Sequence, residues 1–355
     1  MSAVPAWLRS PRTLLVVLAG AIVLTAGFAV GTSTAAFGVY NPAWDGASQL
    51  QRQASTVGTQ SQVVLNTSAY ESADPDETVA VVLTPDRAYG PRDTARLRSF
   101  VENGGTLVVA EDFGSHSNDL LDGVGASTRV DGRLLRDERH YYQSPNITVA
   151  PDVTRHPLTT GVEQLTLNHG TALVANTTDE SDATVLVNSS SFSYFDTNRN
   201  GAFDGSESLE RRPVATVEPV GDGRVVVVAD PSLLINAMLE RSGNRRFVRG
   251  LFANHDHVVL DYSHAEALPP LGYASVVVRD SGLLQTAIGL LGFSVVVFGS
   301  RRRDLLAAVG RSDGDEAPVD TAAVVAHLRA RHPDWDEQRL ERVANARRRT
   351  DRTER

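Results

Sequence analysis

Two uncharged apolar stretches, one near each end of the chain, constrain it more than any other feature. Thr13 to Val30 reads TLLVVLAGAIVLTAGFAV, and charge-free sequence continues through Thr32, Ser33 and Thr34 to Tyr40. Ser281 to Ser300 reads SGLLQTAIGLLGFSVVVFGS. About 20 apolar residues suffice to span a bilayer core. Arg9 and Arg12 precede the first stretch, and Arg301, Arg302 and Arg303 follow the second. Arginine stays on the cytoplasmic side, so both clusters give one topology, with the two ends inside and the middle outside. The sequence predicts a cytoplasmic N-terminus over residues 1–12 and a span over 13–37. An extracytoplasmic domain over 38–265 and a membrane-proximal linker over 266–280 follow, then a second span over 281–300 and a cytoplasmic helical tail over 301–355. The expected location is the cell membrane. Two other readings stay open: a cleaved signal peptide for the first stretch, and a buried core helix for the second, which Gln285 and Thr286 interrupt.

Charge divides along the same lines. The 355 residues carry a net charge of −9. Residues 1–40 hold two arginines and no acid, and residues 301–355 hold 13 arginines and 11 acids. Residues 41–300 hold 19 arginines against 32 acids, a net −13. An acidic domain is a poor partner for nucleic acid, which needs a basic footprint. All 34 basic residues are arginine. An acid surplus is a device of halophilic proteins, and a halophilic archaeon is the expected source. Arginine-rich codon usage in a high-GC genome would account for the missing lysine but less well for the acid surplus. With no cysteine, disulfides, Cys-ligated zinc, iron–sulfur clusters and thiol nucleophiles are excluded.

The middle of the chain reads as an α/β sheet. Val79 to Leu83 is a short apolar run, as expected of a buried parallel strand. Pro91 suits a first helical turn, and Leu97, Phe100 and Val101 recur at helical spacing. Asn103-Gly104-Gly105 stops that helix, glycine supplying the left-handed cap, and Thr106 to Ala110 is the next strand. Strand–helix–strand of this length predicts a right-handed crossover. Arg224 to Ala229 is another central strand. Sites in such sheets form at the strands' carboxyl ends, where Asp86, Glu111, Asp112, Asp230 and Ser232 would line a cleft. The competing reading is that these are turn formers and helix caps, and it is the favoured one. No glycine-rich nucleotide loop, Gly-x-Ser-x-Gly or His-Glu-x-x-His motif occurs, so no organic cofactor is expected.

One motif is specific. From Asp196 to Glu207 the chain matches a 12-residue calcium loop. Asp196, Asn198 and Asn200 stand at positions 1, 3 and 5, Gly201 at 6, Ala202 at 7 with its carbonyl, Asp204 at 9 and Glu207 at 12. Calcium wants six to eight hard oxygens, which this set supplies. Strand-like sequence on both sides (Thr184 to Val187, Pro213 to Val217) replaces the usual flanking helices. The expected cofactor is a structural Ca2+; the alternative is an Asn/Asp/Gly-rich turn. His255, Asp256 and His257, with Asp261 and His264, form the histidine-dense patch, for which a structural or membrane-proximal role is expected over a transition metal. In the tail, Val324, Val325 and Leu328 make an apolar stripe, Pro333 breaks it, and Asp334 with Glu337 resembles a capping box starting a second helix, with Leu340 and Val343 on its inner face.

Asn41 to Gly46, Asn103 to Gly114, Asp230 to Asn236 and Asp261 to His264 together resemble the haloarchaeal domain-of-unknown-function family 4350, over nearly all of residues 38–300. That family is similar to the glutamine-amidotransferase-like domains of gliding-motility and intraflagellar-transport proteins. The resemblance implies a flavodoxin-like, mostly parallel sheet flanked by helices. It also suggests companions, a MoxR-type AAA ATPase and a von Willebrand A-domain protein. Active amidotransferases use a cysteine after a central strand, which this chain lacks. The expectation is a non-enzymatic membrane protein whose outer domain binds a ligand or partner. The alternative is a hydrolase or carbohydrate-active enzyme using the strand-end carboxylates.

Overall fold

The computed structural model describes residues 34–175, 183–265, 273–274, 277–278, 281–290 and 321–343. The chain divides into two units, Met1–Asp280 and Ser281–Arg355.

The first unit is built on an eight-stranded sheet. Its strands are β1 (Gln60–Val64), β2 (Thr78–Leu83), β3 (Thr106–Ala110), β4 (Asp152–Val153), β5 (Thr184–Asn188), β6 (Pro213–Val220), β7 (Gly223–Val228) and β8 (His257–Asp261). Their spatial order is β1-β8-β2-β3-β7-β6-β5-β4. The first five in that order pair in parallel, and β6, β5 and β4 continue antiparallel. Every residue of β2 and β3 is buried, which is why these strands read as unbroken apolar runs rather than alternating ones.

Four helices accompany the sheet: α1 (Gln49–Thr56), α2 (Pro91–Glu102), α3 (Ser117–Val124) and α4 (Ser242–Phe252). The expected details of α2 are present. Pro91 opens it, Leu97, Phe100 and Val101 are its buried face, and Asn103 ends it. Gly104 beyond it has φ +111°, a backbone setting that glycine adopts without a Cβ penalty. The connection β2–α2–β3 runs one way along the sheet, and β7–α4–β8 runs the other way. Right-handed crossovers in opposite directions lie on opposite faces. In keeping with this, α2 packs with α3 and α4 with α1. Outgoing connections therefore diverge between β3 and β7, which makes their adjacent carboxyl ends the switch point of the sheet.

Short antiparallel ribbons fill the excursion between β3 and β6. Leu135–Asp137 pairs with Ser193–Phe195, and Ser144–Ala150 pairs with Tyr141–Tyr142 and with Leu165–Thr166.

Among the described residues no helix is long and apolar enough to cross a membrane. Of the stretches 13–37 and 281–300, residues 34–37 and 281–290 are described, with 282–290 helical; the remainder lies outside the described residues. In the second unit Thr321–Arg331 is a helix and residues 337–343 are helical, with Pro333 between them. The cap of the later helix is Asp336, whose Oδ1 accepts the Arg339 N–H at 2.8 Å, and not Asp334 as the sequence suggested. Within the turn Trp335 stacks on His332. Leu340 is buried as expected, but Val343 is 41% exposed and does not share its inner face.

Candidate functional site

The switch point gathers the strand-end carboxylates, and most of their oxygens are already bonded. Glu111 follows β3 and is 0% exposed. Its Oε1 accepts the N–H groups of Asp112 and Gly114, both at 2.9 Å, and the Thr84 hydroxyl at 3.2 Å. Its Oε2 accepts the Ser117 hydroxyl at 3.0 Å. A Cβ on Gly114 would lie 2.2 Å from Oε2, so glycine is needed for this loop to close over the carboxylate. Glu111 thus ties the ends of β2, β3 and α3 together.

Asp230 follows β7 and is also 0% exposed. Its Oδ1 accepts Ser232 N–H at 2.7 Å, starting a 3-10 turn over Pro231–Leu234, and its Oδ2 accepts Asn168 N–H at 2.5 Å. Ser232 contributes its backbone here. Burial pushes the Asp230 carboxyl up to about 7, and the nearby Asp112 charge adds to the shift. Asp112 itself is pushed up to about 6, chiefly by burial, with Glu111 contributing. Asp86, beyond β2, is exposed and its backbone N–H bonds His264 C=O. The structure therefore brings Glu111, Asp112 and Asp230 together and leaves Asp86 at the neighbouring strand end.

Two further features shape these strand ends, the first without a sequence signal. Thr84 has φ +33°, an outlier for a β-branched residue, with its hydroxyl on Glu111. Asp261, at the end of β8, accepts the Tyr70 hydroxyl and Ser263 N–H, each at 2.8 Å. Burial raises its carboxyl above the usual range. His264 stacks on Tyr89 at 3.7 Å, bonds the Ser263 hydroxyl at 2.8 Å and lies 3.7 Å from Asp93. The histidine patch does not assemble. His255 is buried against Thr106, and His257 pairs at the start of β8 with Gln60 and Thr78.

A cleft of about 600 Å³ opens elsewhere, lined by residues 139–142 and by the start of α4. Asp137 accepts the N–H groups of Arg139 and His140, which turns that segment outward. Tyr141 and Tyr142 are 45% and 38% exposed. Arg241 lies over the Tyr142 ring at 4.1 Å. Buried Asn244 clamps α4 to the ribbon through both the N–H and the C=O of Thr166, each at 2.8 Å. A Cβ on Gly243 would meet Gln164 O at 1.9 Å, so only glycine allows this approach. Arg139 lies over the Phe192 ring at 4.6 Å, and Glu240 also lines the cleft; among the described residues neither Arg139 nor Arg241 has a carboxylate partner.

The Asp196–Glu207 loop follows the Ser193–Phe195 strand. Asp196 is 2% exposed. Its Oδ2 accepts Gly201 N–H across the loop at 3.0 Å, while its buried Oδ1 has no partner. Gly201 has φ +76°. Glu207 reaches back to Thr197 N–H (3.0 Å) and Asp204 N–H (3.3 Å). Asn198 and Asn200 both donate to Asp204 Oδ2. Arg136, which sequence reasoning did not select, sits behind the loop. It donates to Gly201 C=O at 2.7 Å, lies 3.8 Å from Asp196 Oδ2 and bonds Asn146. Among the described residues no three His, Asp or Glu side chains stand close enough to hold a metal by themselves. A cation in this loop would need amide and backbone oxygens as well.

The family model described as domain of unknown function DUF4350 matches residues 39–252. The chain belongs to the DUF4350 family. Its matched region holds the whole sheet except β8, together with the switch point, the cleft and the loop. No curated protein matches the chain. Among solved structures, the mmIFT52 N-terminal domain is 15% identical, with a TM-score of 0.44, covering 58% of this chain and 87% of that one. The cytoplasmic protein STM3548 from Salmonella typhimurium is 13% identical, with a TM-score of 0.34, covering 58% of this chain and 86% of that one.

Proposed function

We propose that this DUF4350 protein is a membrane-held, extracytoplasmic binding protein without catalytic chemistry, and that the cleft beside α4 takes its ligand. The cleft carries the reading: Arg139 and Arg241, each on an aromatic ring and neither with a carboxylate partner among the described residues, line it together with two exposed tyrosines and Glu240. Tyrosine faces suit a sugar or another flat surface, and guanidinium suits a carboxylate or sulfate. The ligand class is an oligosaccharide bearing such acid groups. Uncharged stretches with arginines on the same side support two spans with both termini in the cytoplasm. The acid surplus supports a high-salt origin, and the parallel sheet supports an amidotransferase-like ancestry in which no cysteine nucleophile is retained. The tail helices are the segment that would meet cytoplasmic companions, a MoxR-type ATPase and a von Willebrand A-domain protein.

Titration of the full chain in detergent with sulfated, uronic and neutral oligosaccharides tests the ligand class. Binding is expected for the acidic sugars only, weakened at least about 10-fold by Arg241→Ala or Arg139→Ala, the order expected for loss of a charge-assisted contact. Equal binding of neutral sugars, or none at all, overturns it. Topology is tested separately, because the chain has no cysteine of its own. In intact cells an impermeant maleimide should label Trp44→Cys and spare Ala322→Cys until lysis.

One observation favours the hydrolase reading: burial raises Asp112 to about 6 and Asp230 to about 7 at the switch point, and the Asp112 charge adds to the shift of Asp230. Perturbed carboxyls of this kind cluster at functional sites. A hydrolytic activity abolished by Asp112→Asn at unchanged melting temperature would replace the binding reading.

A further inference from the structure

The Asp196–Glu207 loop holds a buried charge for which the protein supplies no complete answer. Buried carboxylate oxygens are nearly always hydrogen-bonded, and leaving one bare costs the full desolvation of a charged group. Asp196 Oδ1 is such an atom. It belongs to a carboxylate turned into the loop by the Gly201 N–H. Asp204 and Glu207 bring the loop's carboxylates to three, and Arg136 lies on the Oδ2 side of Asp196.

The remaining groups specify the kind of cation. Asn198 and Asn200 offer amide oxygens and Ala202 a backbone carbonyl, with Asp204 and Glu207 completing an all-oxygen set. No histidine or thiol is among them. Soft or borderline metals prefer nitrogen and sulfur, whereas Ca2+ takes six to eight oxygens from a flexible loop. The left-handed turn at Gly201 lets the backbone double back, which brings Asn198 and Asn200 to Asp204 across the turn. We propose that this loop binds one Ca2+, which draws the Asp204 and bidentate Glu207 carboxylates, apart without it, in toward Asp196, with Asn198, Asn200 and the Ala202 carbonyl as the other ligands. Arg136 makes the site part of the fold as well as of the loop, because the guanidinium that bonds Gly201 C=O also bonds Asn146 in the Ser144–Ala150 strand. This site stands independently of the ligand cleft; only its expected affinity rests on the extracytoplasmic placement.

Calorimetric titration of the full chain in detergent with CaCl2, in an excess of Mg2+, tests the proposal, together with melting in Ca2+ and in chelator. One Ca2+ per chain is expected, with a Kd of about 10⁻⁴–10⁻³ M, the range of extracellular modules. At ten times that concentration the melting temperature should rise by about 3–6 °C. Glu207→Gln should weaken binding more than about 10-fold, the charge and bidentate geometry being lost, while melting in chelator as the wild type does. Exposed Asn198→Ala should weaken binding without unfolding the chain, and it decides the matter if a Glu207 variant fails to fold. No saturable heat from the wild type, or wild-type affinity in both variants, overturns the site.

Discussion

The switch point and the Asp196–Glu207 loop are made from the same residue types, yet their carboxylates are in opposite conditions. Glu111 and Asp230 are wholly buried, and every one of their oxygens accepts a hydrogen bond from the protein. Asp196 is just as buried and keeps one oxygen bare. A cluster of acids at strand ends therefore says little by itself. What separates a fastener from a receptor is whether any lone pair is left over once the backbone has been served.

This contrast can be broken at several points. The largest effect is expected at Glu111. Glu111→Ala strands several buried donors at once and should cost at least about 3 kcal/mol, read from denaturant unfolding of the full chain. A cost below about 1 kcal/mol, the size of a single neutral hydrogen bond, would mean that the switch-point carboxylates are not fasteners. Next comes the pH dependence of the pair. Asp112 and Asp230 are raised to about 6 and about 7 from 3.8. The folded state thus holds protons that the unfolded chain has released. Their contribution to stability is full below pH 3.8, and it is lost as pH rises through 6 and then 7. Asp112→Asn removes one titration and the repulsion felt by Asp230. It should flatten the fall in melting temperature between about pH 4 and pH 7, and an unchanged slope would show that the fold does not raise the Asp112 carboxyl. The smallest effect is at the loop. Gly201→Ala places a Cβ at φ +76° and should cost about 1 kcal/mol. It should also weaken Ca2+ binding, whereas a glycine-to-alanine change of equal cost at Gly125, with φ +90°, should leave binding intact.

The parts legible in the sequence were those whose signal is local. The β2–α2–β3 unit announced itself through two apolar runs, Pro91 and the Asn103-Gly104-Gly105 stop. β7 did so through its valines, and the loop through residue types at fixed offsets. The favoured turn-former reading of the strand-end acids also agrees with Asp230 heading a 3-10 turn and Glu111 bonding its own loop. What escaped was long-range. Nothing near His257 says that β8 slots between β1 and β2. Nothing near Arg136 says that its guanidinium will reach Gly201, 65 residues away. The cleft was invisible because Arg139 and Arg241 meet only after the ribbon folds back on α4. The misplaced tail cap shows the limit of local rules, since Asp334 and Asp336 both fit a cap by residue type.

The insertion of β8 has a consequence for how the domain comes into being. It is the last strand of the sheet in the chain, yet it pairs along its full length with β1 on one side and β2 on the other. Until residues 257–261 have been made, β1 has no partner in the sheet and β2 presents a bare parallel edge, the kind of edge that recruits stray strands. Pairings between residues this far apart in sequence form slowly. The sheet is thus finished by its final strand, slotted in one place from the edge, and completion of the fold is timed to the arrival of the chain's last third.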